Sequence, residues 1–111
     1  RKWNQRMATN YERGVRFERL VMQHFKSLGC VTTRSAGSHG LWDVVAVAFG
    51  PMISMNVSMW LDSQKSKGER GFLDHSLEWP STQGHKRLYY RVLKDADHNL
   101  VLFGQCKSKQ T

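Results

Sequence analysis

Acidic residues are scarce in this chain: nine Asp and Glu stand against seventeen Lys and Arg, for a net charge of +8 over 111 residues. That imbalance disfavours a cationic partner and points to an anionic one, of which nucleic acid is the commonest. Cysteine is scarcer still. Cys30 and Cys106 are too few for a disulfide scaffold, show no CxxC spacing, and read as reduced and mostly buried. No signal-peptide pattern marks the opening residues Arg1-Lys2-Trp3-Asn4. The stretch from Leu41 to Leu61 is long enough for a membrane span, but Asp43, Gly50-Pro51, Asn56 and two serines interrupt it. Asn56-Val57-Ser58 fits a glycosylation sequon, with no other sign of secretion. Repeats and low-complexity tracts are absent from the sequence. The expectation is one intracellular domain spanning 1–111, without a membrane partner.

The remaining composition, 40% hydrophobic and 23% charged, suits a globular fold. Thr9-Asn10-Tyr11-Glu12 reads as a capping box. Phe17, Leu20, Val21, His24 and Leu28 follow at helical steps, and Gly29 stops the helix, predicted over Tyr11 to Leu28. Strands are predicted at 31–34, 42–49, 87–93 and 100–107, the second covered on both faces. Lys94 to Asn99 connects the last two as a hairpin turn. Met52 to Leu61 fits either a strand or a helix, 64–70 reads as a solvated loop, and 76–84 as irregular. The predicted architecture is α/β (α+β-like), one helix on a mixed, mainly antiparallel sheet.

Two candidate metal sites fail on spacing. Asp95, Asp97 and Asn99 open like a calcium loop, but Leu100 stands at the glycine position and Cys106 at the closing Glu. His39, His75, His85 and His98 have no helical ligand spacing. Lys65, Lys67, Arg70, Lys86, Arg87 and Arg91, interleaved with Trp60, Trp79, Tyr89 and Tyr90, mark a candidate phosphate-contacting surface or an ordinary solvated face.

Asp43 carries the sharper signal. A carboxylate leading into an apolar strand must find a cation or a proton. Gln105 and Lys107 end another apolar run, and Glu18 borders the helix face. Phosphodiester hydrolysis needs a divalent ion, and magnesium takes one or two protein carboxylates with water and phosphate oxygens. Asp43 is the expected central ligand, with the Gln105 amide oxygen, the Cys106 carbonyl and Glu18 around it, and Lys107 offsetting charge in the transition state.

Arg13-Gly14-Val15-Arg16-Phe17-Glu18, the turn Arg34-Ser35-Ala36-Gly37-Ser38-His39-Gly40, Asp43-Val44-Val45-Ala46 and Gln105-Cys106-Lys107 together resemble the archaeal-type Holliday junction resolvases. That family belongs to the restriction-endonuclease-like, PD-(D/E)XK nucleases, and phages also encode members. The resemblance covers Tyr11 to Val47 and Val101 to Lys107. It implies a restriction-endonuclease-like core. Glu18, Asp43, Gln105 and Lys107 would be catalytic, and magnesium (or manganese) would sit at Asp43, Gln105, Cys106 and Glu18. Arg13, Arg16, Arg34, Ser35, Ser38 and His39 would contact DNA. The implied activity is magnesium-dependent cutting of four-way DNA junctions by a homodimer, in the cytoplasm, the nucleoid or a viral host cell. A weakly catalytic DNA-binding or assembly module of the same fold, and a general repair or restriction nuclease, are the alternatives.

The chain departs from the pattern at three places. Trp42 replaces the usual Pro, and Gln105 replaces Glu or Asp, so cation affinity should fall. Sixty-one residues separate Asp43 from Gln105 where the family has a tight hairpin. Residues 52–86 are therefore expected as an inserted element.

Overall fold

A computed structural model describes residues 10–35, 41–64, 75–82 and 85–108, with backbone alone at 10 and 11. Helix α1 runs Asn10–Ser27, within a residue of the expected span. The buried stripe is Phe17, Val21 and Phe25, whereas Leu20 is 40% exposed. Gly29 ends the helix with φ 106°, a backbone conformation that suits glycine.

Among the described residues five strands follow: β1 (Val31–Arg34), β2 (Val44–Ala48), β3 (His75–Glu78), β4 (Lys86–Lys94) and β5 (Leu100–Ser108). Their spatial order is β1-β2-β5-β4-β3, and every pairing is antiparallel rather than mixed. The fold is therefore α+β. β2 is shorter than the predicted 42–49 and is not covered equally on both faces. Val44, Ala46 and Ala48 are buried, while Val45 and Val47 are half-buried.

Met52–Leu61 resolves as a helix, α2 (Pro51–Ser63). Pro51 suits the first helical turn, and Ser54, Val57 and Leu61 make the buried edge at three- and four-residue steps. Met52, Met55 and Met59 stay exposed on the other side. Apolar residues on both sides blur the period, which is why the sequence alone does not choose. Part of the 76–84 stretch is also a strand: β3 reaches Glu78, and a 3-10 turn at Pro80–Thr82 follows. The solvated loop predicted at 64–70 lies outside the described residues beyond Gln64.

The described residues of the stretch expected as an insertion belong to the same core as the rest. Val57, Leu61, Leu77 and Trp79 pack with Phe17, Val21, Phe25, Val44, Leu88, Leu100 and Leu102. Polar ties reinforce this, because the Gly50 N–H donates to Asn99 Oδ1 (2.8 Å) and Ser54 Oγ donates to the His98 carbonyl (2.6 Å). Within the β4–β5 hairpin, Asp95 accepts the Asp97 and Asn99 N–H groups, each at 2.9 Å. Its carboxylate is spent on turn geometry, as a polar hairpin requires. Both helices cover the sheet face bearing Val44, Ala46, Leu88, Tyr90, Leu100 and Leu102. Among the described residues, no helix is long and apolar enough to cross a membrane.

Candidate active site

Regular β2–β5 pairing ends at Val44 opposite Gly104. Continued one step, it would set Asp43 against Gln105. Instead the Asp43 N–H donates to the Gly104 carbonyl (2.8 Å), and the Asp43 carbonyl accepts from the Ser35 N–H (2.9 Å). The slip has the character of a bulge, which commonly re-aims a side chain. Trp42 now stacks toward Phe103, with ring centroids 5.1 Å apart. The Asp43 carboxylate turns to β5, where Oδ2 accepts the Cys106 N–H at 2.8 Å. A backbone N–H of this kind points sideways within the sheet, so the carboxylate sits at the end of β2, close to the sheet plane. A strand residue's N–H and C=O point to the same neighbour. The Cys106 carbonyl therefore projects to the side where Asp43 lies.

The other expected residues divide around this point. Gln105 Nε2 donates to the Leu41 carbonyl (2.7 Å), so its side chain reaches across the chain entering β2. Lys107 is exposed and, two residues on, shares the face of Gln105. Cys106 lies on the opposite, helix-covered face. Burial pushes its thiol far above the usual range, and the carboxylates of Asp43 and Glu18 push it further. The thiol thus stays protonated between two acids. Glu18 itself is bound to Arg34, Nε to Oε1 at 2.7 Å, with side chains 16% and 23% exposed. Both were expected to serve the metal or the phosphate, and the structure pairs them with each other.

Arg13, Arg16 and Ser35 are exposed, and Ser38 and His39 lie outside the described residues. So do Lys65, Lys67 and Arg70. The rest of the predicted basic surface is split: alternation puts Arg87, Tyr89 and Arg91 on one sheet face, and Lys86 and Tyr90 on the other.

Among the described residues, no three His, Cys, Asp or Glu side chains cluster as metal ligands. At the end of β2 stand one carboxylate and, on the adjoining strand, one backbone carbonyl, while the Gln105 amide is bonded through Nε2 to the Leu41 carbonyl. This set fits a hard cation that keeps several waters, as magnesium does, and holds it weakly. No family model, curated protein or solved structure matches the chain.

Proposed function

We propose that the protein is a magnesium-dependent DNA endonuclease with a restriction-endonuclease-like core, acting on branched DNA such as four-way junctions. The observation that carries this reading is the Asp43 carboxylate fixed by the Cys106 N–H at a strand end, with Gln105 reaching over the same end. Asp43 is held through one oxygen, and among the described residues the other has no protein partner. The Cys106 carbonyl would be one neutral donor beside it, and the Gln105 amide oxygen would supply a second. Magnesium bound at these oxygens supplies charge to a phosphoryl group and lowers the pKa of a coordinated water. Lys107 stands on the Gln105 face, where its ammonium offsets negative charge growing on a phosphate laid along that face. The net charge of +8 favours a polyanion at any of these positions. Two copies related by a two-fold axis would make the symmetric nicks a symmetric junction requires.

The test is cleavage of a labelled four-way junction, in magnesium and in EDTA, by wild type and Asp43→Asn. Cutting should require magnesium and vanish in the variant, while junction binding persists. Wild-type cutting by Asp43→Asn rejects the assignment. A second reading is favoured by one feature: Glu18 is neutralised by Arg34, and Gln105 carries no charge. A single available carboxylate suits a DNA-binding or assembly module that cuts poorly. Junction binding with no cleavage at any magnesium concentration selects that reading.

A further inference from the structure

The sheet has a second face, and among the described residues neither helix covers it. Strand alternation assigns to it Val45 and Val47 of β2, Val101, Phe103, Gln105 and Lys107 of β5, and Arg87, Tyr89 and Arg91 of β4. Three aromatic residues occupy a row of positions there. Trp42 lies against Phe103 at 5.1 Å. Tyr89 is opposite Gln105, one strand over and diagonal to Phe103. All three are half-buried, so each ring keeps surface to offer. The cations are interleaved with them. Arg91 is directly opposite Phe103, and Lys107 is opposite Arg87. Two like charges paired across strands are unfavourable unless an anion sits near them. Arg87 is buried and tied to Ser76 (3.2 Å) and Glu78 (3.4 Å), so the open part of the face lies toward β5 and β2, where Lys107 is exposed.

We infer that this face is a stacking platform for single-stranded DNA, with unpaired bases on Trp42, Phe103 and Tyr89 and phosphates at Lys107. Flat rings on a flat sheet offer nothing to a duplex, whose bases are stacked on one another. They suit a strand whose bases are free, and cations beside the rings follow the backbone. The row ends at Gln105 and Trp42, immediately beside Asp43, so a strand lying along it leads to the candidate active site. The inference rests on the proposed DNA-directed function and deepens it: the unpaired strand is the part of branched DNA that the protein grips.

The probe is fluorescein-labelled oligo-dT of about ten nucleotides, near the span of one small binding fold. Anisotropy is read in EDTA on the full chain, with a duplex of equal charge as comparison. Oligo-dT should bind at least about tenfold more tightly than the duplex, and Phe103→Leu and Tyr89→Leu should each weaken it about fivefold or more. Lys107→Gln should flatten the salt dependence by about one charge. Equal or tighter duplex binding, or unchanged affinity in folded aromatic variants, overturns the inference. If those variants fail to fold, photocrosslinking of 5-iododeoxyuridine oligonucleotide to wild type decides it. Crosslinks at Trp42, Phe103 or Tyr89 support the platform, and crosslinks elsewhere overturn it. Loss of strand binding with duplex cutting intact would sink only the platform. Strand binding without magnesium-dependent cutting would sink only the nuclease.

Discussion

Gly104→Ala tests the packing on which the site is built. A Cβ at Gly104 would stand 2.9 Å from Leu88 Cδ1 and 3.6 Å from Leu102 Cδ2. Both leucines are fully buried, so Leu88 has no solvent to rotate into. Overpacking of this kind costs about 1–3 kcal/mol. Against it, replacing glycine within a strand stabilises by about 0.5–1 kcal/mol. The clash should win, leaving a net loss of about 1–2 kcal/mol, or a melting temperature lower by roughly 4–15 °C for a domain this size. The nearest atom belongs to a single side chain, so Leu88→Val should relieve the clash. In that background Gly104→Ala should be neutral or stabilising. Urea unfolding of the four proteins, followed by tryptophan fluorescence, gives the cycle, and a coupling of at least about 1 kcal/mol is expected for side chains in contact. Equal effects of Gly104→Ala in both backgrounds, or stabilisation of the wild type, would refute the packing argument.

Three further outcomes follow from the same geometry. Arg34→Ala strands Glu18 in a mostly covered position and should cost about 1–2 kcal/mol, whereas Arg34→Ala combined with Glu18→Gln should recover part of the loss; a urea series on both checks this. His24 Nε2 is buried with no partner among the described residues, and burial lowers the imidazole pKa from its usual value of 6.5. A lowered folded pKa means that its share of stability is full above pH 6.5 and lost as pH falls through the folded value, so His24→Phe should be more stable by about 1 kcal/mol at pH 7 and by more at pH 5, measured by urea midpoints. Cys30 is buried and the Cys106 thiol is kept protonated, so neither should react quickly with a disulfide reagent at pH 8 until urea unfolds the chain; rapid labelling of the native protein would contradict both assignments.

Much of the scaffold was legible because the local signals agreed. Helix α1, strands β1 and β5 and the β4–β5 hairpin lie where period, glycine stops and turn residues put them. β3 was hidden by its length of four residues and by Trp79-Pro80 directly after it. The site was legible in part. Asp43 meets the Cys106 N–H at the end of β2, while Gln105 bonds the Leu41 carbonyl. The Glu18–Arg34 pair was not legible, since an ion pair between a helix and a strand depends on which faces meet. Nor was the orientation of Asp43, because a one-residue slip reverses the face a side chain takes, and nothing in Leu41-Trp42-Asp43-Val44 marks that slip.

The bond from the Cys106 N–H to Asp43 closes a loop of 63 residues. At a synthesis rate of about 5–20 residues per second, the aspartate waits several seconds for its donor. Until β5 docks, the carboxylate has no fixed direction and its neighbouring carbonyl is missing. In a nascent chain of this protein, Asp43 therefore takes its fixed direction only after β5 has paired with β2.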